Sequence, residues 1–121
     1  MVSDVLHRFD HFNDSVIESI SIDFQGHVYP RFEIRLTCQD DHAEEPTWRT
    51  CLIDFHNVRE FRIEQPSNTS HSRISFGIAM TIEAGLTYVD FACFGETVRT
   101  IDEIRSSDFH IGAEKVEFVV L

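Results

Sequence analysis

The sequence has few basic residues and no long apolar run, and each shortage excludes a class of protein. Only 10 Lys and Arg residues stand against 21 Asp and Glu, so the formal net charge is −11. Such a surface repels the phosphates of nucleic acids. No stretch of about 18 apolar residues is present, and the first residues lack the basic-then-apolar layout of a secretory signal. We therefore expect a cytoplasmic protein that binds neither nucleic acid nor membrane directly.

Cysteine is also scarce. The three cysteines, Cys38, Cys51 and Cys93, are an odd number and are widely spaced. They form no CxxC pair, and no disulfide framework can be derived from their positions. Because apolar residues typical of strands flank them, we predict that all three are reduced residues of the core.

The chain of 121 residues has the length of one domain, which we place at residues 1–121. Apolar residues alternate with polar ones far more often than they recur at helical spacing, which indicates strands. We predict a mainly β (α+β) fold, with a single-domain antiparallel sheet or sandwich and one or two short helices. The predicted strands are 20–24, 32–36, 49–55, 60–63, 73–82, 86–94 and 115–121.

The second half of the chain contains the clearest hairpin. Residues 73–82 alternate, a short "EAG" turn follows, and residues 86–94 return. The returning strand is apolar on both faces, which is typical of a central strand covered on both sides. Residues 95–107 read either as a helix, with Thr97 as its N-cap, or as a loop.

The stretch "HRFDHFNDS" at residues 7–15 concentrates histidine and aspartate. His7 and His11 are four residues apart, a spacing that places two imidazoles on one face of a helix, as in some zinc sites. The same stretch carries an apolar stripe, formed by Leu6, Phe9 and Phe12. We interpret it as a short amphipathic helix that ends near Asn13, and we predict no metal ligand and no cofactor here.

Catalytic motifs are missing from the sequence. There is no GxSxG, GxxxxGK[ST], GxGxxG or HExxH pattern, so we predict no catalytic residue. One enzymatic alternative is a small hydrolase or metal-dependent enzyme, whose site would be assembled in space from His11, Asp14, His56 and Asp90. Asp90, in an apolar strand, is expected to be exposed at an edge or hydrogen-bonded.

The densest acidic run is "DDHAEE" at residues 40–45, between two predicted strands. It reads as a loop, which is either simply solvated or faces a partner. We take its carboxylates as the candidate partner-binding residues, namely Asp40, Asp41, Glu44 and Glu45. A basic protein is the partner that such a run favours.

Two segments carry a resemblance to known proteins. "FNDSVIESISIDF", followed by a pair of strands, and "CLIDFHNVREFRI" resemble small bacterial β-rich families that open with a Phe-His-Asp-Ser/Ala turn and include immunity-protein-like members of polymorphic toxin systems. This chain has Asn13 where those families carry histidine. The resemblance implies a stoichiometric inhibitor of a basic toxin, such as a nuclease, with no chemistry of its own. A structural module that forms a homo-oligomer is a further alternative.

Overall fold

The structure, a computed structural model, consists of strands and short helical segments. The residues that it describes are 6, 8–24, 26, 28–40, 47–68, 70–74, 77–96 and 98–121. The strands are β1 (Ser15–Asp23), β2 (Arg31–Asp40), β3 (Thr47–Ile63), β4 (Arg73–Ile74), β5 (Ala79–Glu83), β6 (Leu86–Asp90) and β7 (Phe109–Val120). A short helix, α1 (Ile101–Arg105), lies between β6 and β7.

All the strands belong to one curled antiparallel sheet in the order β4-β1-β2-β3-β7-β6-β5. The long strand β3 links the two halves, because residues 47–55 pair with β2 while residues 51–63 pair with β7. The predicted mainly β class is confirmed. Of the two predicted architectures, the chain adopts the single curved sheet.

The core fills the concave side of this sheet. Phe32, Ile34 and Leu36 of β2 are fully buried, as their alternation predicts. Their partners across the sheet, Phe55, Ile53 and Cys51, are buried as well. All three cysteines are buried and none is in a disulfide here, which confirms their prediction as core residues, while their reduced state stays a prediction.

The alternation along β3 changes phase at Asn57. Before this residue the strand buries odd-numbered residues such as Phe55. After it the strand buries Val58, an even-numbered residue, while Asn57 itself is exposed. Asn57 has a φ of +54°, which asparagine tolerates better than most residues. Its side-chain amide donates to Oε2 of Glu114 on β7 at 2.9 Å. This phase change joins residues 49–55 and 60–63, which we predicted as two strands, into one.

The predicted N-terminal helix is wrong at its C-terminal half. Leu6 and Arg8 are helical, but Asp10–Phe12 form a 3-10 turn with positive φ values between 50° and 58°. Three successive left-handed residues without glycine cost roughly 1–2 kcal/mol each. Burial of two aromatic side chains offsets this, since the Phe9 and Phe12 rings stack at 5.5 Å and are almost completely buried.

The predicted hairpin is confirmed only at its tip, where β5 and β6 pair between Ala79–Glu83 and Leu86–Asp90. Residues 73–74 instead form β4, which pairs with β1 at the opposite edge of the sheet. Ile82, the last apolar residue of the alternation in 73–82, is 74% exposed. Both faces of β6 are covered, as predicted, although it lies next to the edge strand and not in the centre.

The segment 95–107 contains a helix of only one and a half turns. Its N-cap is Thr100, because the Thr100 hydroxyl accepts from the amide of Glu103 at 3.2 Å and the Glu103 carboxylate accepts from the amide of Thr100 at 3.0 Å. This reciprocal pair is a capping box. Our choice of Thr97 as the N-cap was therefore wrong. Ile101 and Ile104 bury the helix against Tyr88 of β6.

Candidate functional site

The convex side of β2, β3 and β7, which we call the outer face, carries the alternate residues that are not buried in the core. No helix or strand within the described ranges packs over it, and its residues are exposed or half-buried. Antiparallel sheets commonly leave one face in water, but that face is then expected to be polar. Part of this outer face is apolar.

The apolar part of the outer face includes a tryptophan. Trp48 is 55% exposed, and Leu52 lies four residues further along β3 directly opposite Val119 of β7. The amide of Leu121 donates to the carbonyl of Thr50 at 2.9 Å. Leu121 therefore lies beside Thr50, which is midway between Trp48 and Leu52 on β3. We call Trp48, Leu52, Val119 and Leu121 the tryptophan patch.

Next to this patch the outer face carries a row of paired charges. The guanidinium of Arg31 holds the carboxylate of Asp54 through two hydrogen bonds, one of them 2.8 Å long. This pairing lowers the pKa of Asp54. Nε2 of His56 lies 2.9 Å from Oε1 of Glu117 and 3.5 Å from Oδ2 of Asp54. Asp54 is thus held by Arg31, whereas Nε2 of His56 lies close to two carboxylates without a hydrogen bond to either among the described residues. These charged groups border the tryptophan patch.

Asp40, a predicted partner-binding residue, is the centre of an ion-pair cluster. Its carboxylate accepts from Nε and Nη2 of Arg8 at 3.1 and 2.7 Å, and from Nε of Arg49 at 2.7 Å. The Asp40 side chain is only 2% exposed. The sequence did not reveal this role, because Arg8 is 32 residues away. Asp40 therefore anchors the C-terminal end of β2 to the N-terminal segment.

The other three predicted partner-binding residues, Asp41, Glu44 and Glu45, lie outside the described residues. They belong to the connection between Asp40, where β2 ends, and Thr47, where β3 begins. Their role in binding a partner stays a prediction, as does that of Asp40.

The structure does not bring the proposed histidine and aspartate constellation together. His56 lies on the outer face with Asp54 and Glu117. Asp90 is fully buried near the other end of the sheet. His11 docks by its backbone, since its carbonyl accepts from the amide of Ile78 at 2.8 Å. Asp14 is exposed in the turn before β1.

Asp90 is hydrogen-bonded, which is one of the two environments expected for it. Oδ1 accepts from the Ser107 hydroxyl at 2.6 Å and from the amide of Ala92 at 2.8 Å, and Oδ2 accepts from Nη1 of Arg99 at 2.7 Å. The cluster ties the segment that follows β6 to the start of β7. The three hydrogen bonds of Asp90 thus have a structural role, since they connect separate segments of the chain.

The two histidines four residues apart do not form a helical pair. His7 lies outside the described residues, and His11 has left-handed backbone angles. Within the part of the chain that the structure describes, no group of three or more His, Cys, Asp or Glu side chains could hold a metal ion.

The charges of the described residues are strongly one-sided. Among the pairs formed between described residues, eight Lys and Arg side chains lie within 4.0 Å of a carboxylate of the same chain. They are Arg8, Arg31, Arg49, Arg59, Arg62, Arg99, Arg105 and Lys115. Because the carboxylates outnumber the bases, exposed residues such as Asp14, Glu83 and Asp102 have no basic side chain to pair with among the described residues. The charge available to a partner is therefore almost entirely negative.

Comparisons with known proteins returned no relative. The chain matches no protein-family model, no curated protein and no solved structure. The resemblance to immunity-protein-like families thus stays a prediction. Among the helices of the described residues, none has the length and apolar character needed to cross a membrane.

Proposed function

We propose that this chain is a cytoplasmic protein-binding module that captures one basic partner protein in a stoichiometric complex. The observation that carries the proposal is the position of Trp48 beside Thr47, which pairs with Asp40, because these two residues are where the acidic run leaves β2 and joins β3. An aromatic anchor next to surplus carboxylates suits a partner with a basic surface around an apolar spot.

The register of the hairpin supports this arrangement. Asp40 pairs with Thr47 across β2 and β3, so both ends of the acidic connection are fixed at one end of the sheet. Trp48 is the next residue of β3 and points to the outer face. The pairs of Asp40 with Arg8 and Arg49 hold these ends in place. The acidic run that contains Asp41, Glu44 and Glu45 therefore begins and ends at a pair of residues next to Trp48.

The two parts of this surface have different physical tasks. Exposed carboxylates attract a basic protein over about one Debye length, roughly 8 Å at physiological salt, and chiefly raise the association rate. A tryptophan that becomes buried in the complex contributes mainly by slowing dissociation. The −11 net charge extends the steering effect to the whole molecule.

An inhibitor of a nuclease toxin is the form of this function that the family resemblance implies. Such a toxin binds nucleic acid through basic residues, and an acidic protein can occupy the same surface because it presents a similar charge. The proposed activity requires no catalytic group from this chain.

The test measures capture of the basic protein encoded next to this chain in its source genome, by rapid-mixing fluorescence at low and at moderate salt. Asp41→Asn, Glu44→Gln and Glu45→Gln in combination should reduce the association rate about tenfold at low salt and flatten its salt dependence. Trp48→Ala should raise the dissociation rate about 30-fold, which corresponds to roughly 2 kcal/mol.

Matched controls remove the same kinds of group elsewhere. Asp14→Asn, Glu83→Gln and Asp102→Asn together remove three exposed carboxylates, and Ile82→Ala removes an apolar side chain that is 74% exposed. The charge control should slow association clearly less than the triple test variant, because it weakens only the long-range attraction of the whole molecule. Ile82→Ala should bind nearly as the unmodified protein does. If they weaken capture as much as the test variants, the proposed surface is wrong. If the neighbouring protein fails to bind even at low salt, the partner class is wrong.

A further inference from the structure

Two of the three cysteines lie in direct contact across β2 and β3. The Sγ atoms of Cys38 and Cys51 are 3.1 Å apart, and both residues are at least 99% buried. Cys51 is opposite Leu36 in the register and Cys38 is opposite Arg49, so the cysteines are diagonal neighbours on the concave face. A disulfide needs sulfurs about 2.05 Å apart, so a movement of about 1 Å would join them.

The charged cluster at the end of β2 adjoins this pair. The guanidinium of Arg8 acts electrostatically on both sulfurs. The hydrogen bond between the two sulfurs lowers the pKa of Cys51, with the charge of Arg8 acting in the same direction and burial opposing both. The same hydrogen bond, together with burial, raises the pKa of Cys38. The pair therefore contains one sulfur suited to attack and one suited to resolve the product.

We propose that Cys38 and Cys51 are an oxidation site, at which a peroxide converts the two thiols into a disulfide between β2 and β3. The thiolate of Cys51 attacks one peroxide oxygen, the O–O bond breaks, and the leaving oxygen takes up a proton as water. The sulfur of Cys38 then attacks the sulfenic sulfur of Cys51, and the S–O bond breaks. The proton of Cys38 leaves with that oxygen as a second water.

Two partly exposed arginines adjoin the pair. Arg49 is opposite Cys38 in the register and Arg8 acts electrostatically on both sulfurs, and their side chains are 40% and 33% exposed. Hydrogen peroxide is close to water in size, and local opening of a peripheral segment admits it more easily than a protein reductant or oxidant. Cys93 is also buried, but its Sγ donates to the carbonyl of Gly77 at 3.3 Å and has no second sulfur beside it.

The disulfide would close the segment from Cys38 to Cys51, which contains Asp41, Glu44 and Glu45. Oxidation would thus fasten both ends of the acidic connection covalently, in addition to the ion pairs of Asp40. This inference concerns the chemistry of the two sulfurs and is independent of the proposed partner.

The experiment treats the native, reduced protein with a modest excess of hydrogen peroxide and then alkylates the remaining thiols under denaturing conditions. We expect the intact mass to fall by two hydrogen atoms, with a single alkylated cysteine, Cys93. A non-reducing peptide digest should contain the linked peptides of Cys38 and Cys51. Dithiothreitol should restore three alkylated cysteines.

Two variants distinguish the pair from general thiol oxidation. Cys93→Ser should still lose two hydrogen atoms, whereas Cys38→Ser should accumulate a sulfenic acid at Cys51 that dimedone labels. Three alkylated cysteines in the treated protein would overturn the proposal, as would a disulfide that includes Cys93. The digest of the unmodified protein decides the matter even if Cys38→Ser does not fold.

Discussion

At the scale of single residues, buried or paired carboxylates determine how the acidic chain remains folded. Asp40 shows the point best. As part of the acidic run it reads as a solvated charge, yet it is 3% exposed and bonded to two arginines. A carboxylate in that position is structural.

We predict that Asp40→Asn lowers the free energy of unfolding by about 2 kcal/mol. Removing one partner of a buried pair usually costs 3–5 kcal/mol, and the partial exposure of both arginines reduces the loss. Urea denaturation at neutral pH measures it. Glu83→Gln, which removes an exposed carboxylate, is the control and should shift the urea midpoint little. Equal midpoints for the two variants would contradict the assignment of Asp40 as an anchor.

Asp54 should make the stability depend on pH in the acid range. Its pairing with Arg31 lowers its pKa below the ordinary value of 3.8, so the unfolded chain takes up this proton first as the pH falls. The stabilising contribution is complete above about pH 4 and is lost as the pH drops through the folded-state pKa.

We therefore expect Asp54→Asn to be less stable than the unmodified protein by about 0.5–1 kcal/mol at pH 7. The difference should shrink below about pH 4. Urea midpoints across this pH range test the expectation, and Asp14→Asn, which removes an aspartate without an ion pair among the described residues, should show no such convergence. A constant difference at all pH values would refute the role given to the pair.

At the scale of elements, local pattern predicted most strands but not their limits. The alternation of Phe32, Ile34 and Leu36 is a property of one strand facing one core, so sequence alone reveals it. The residues 73–82 alternate just as regularly, yet the chain crosses from one sheet edge to the other within them. That crossing depends on the pairing of β4 with β1 and of β5 with β6. A local pattern of apolar residues contains no information about such pairing.

The N-terminal turn illustrates a different limit. Apolar residues three apart, such as Phe9 and Phe12, suit a helix and a tight turn equally well. The turn prevails because its two rings enter the concave core and Phe12 stacks on Phe118 at 5.7 Å, a contact more than one hundred residues away in sequence. The candidate site shows the same limit. The acidic run is visible in the sequence, whereas the ion pair of Asp40 with Arg8 depends on the fold.

Gly112 tests how closely β6 and β7 pack. A Cβ atom at this position would lie 2.7 Å from Cε1 of Tyr88. Tyr88 is buried, and its hydroxyl oxygen accepts a hydrogen bond from Nη2 of Arg105 at 3.2 Å. We predict that Gly112→Ala lowers the free energy of unfolding by about 1–3 kcal/mol, as overpacking usually does.

A double-mutant cycle identifies the cause of that loss. In a Tyr88→Leu background the smaller side chain leaves room for the added methyl group, so Gly112→Ala should cost clearly less than it does alone. Thermal or urea unfolding of the four proteins provides the comparison. A cost that stays the same in both backgrounds would mean that the tyrosine ring is not the obstacle.

At the scale of the whole molecule, surplus negative charge opposes the compact state. The 10 basic residues are mostly paired, and 21 acidic residues leave a net charge of −11. Like charges on one surface repel, and salt screens exposed charges more than it screens buried ion pairs such as those of Asp40 or Asp90. Stability should therefore increase with ionic strength.

We predict that raising sodium chloride from about 20 mM to about 300 mM increases the free energy of unfolding by roughly 1 kcal/mol, since the Debye length falls from about 20 Å to about 6 Å over this range. Urea titrations at both salt concentrations measure it. The combined variant Asp14→Asn, Glu83→Gln and Asp102→Asn carries three fewer negative charges and should respond less. A urea midpoint that falls with salt would show that the attraction within the surface ion pairs outweighs the repulsion between unpaired carboxylates. In that case the field of the unpaired carboxylates would also be too weak to steer a basic partner at physiological salt.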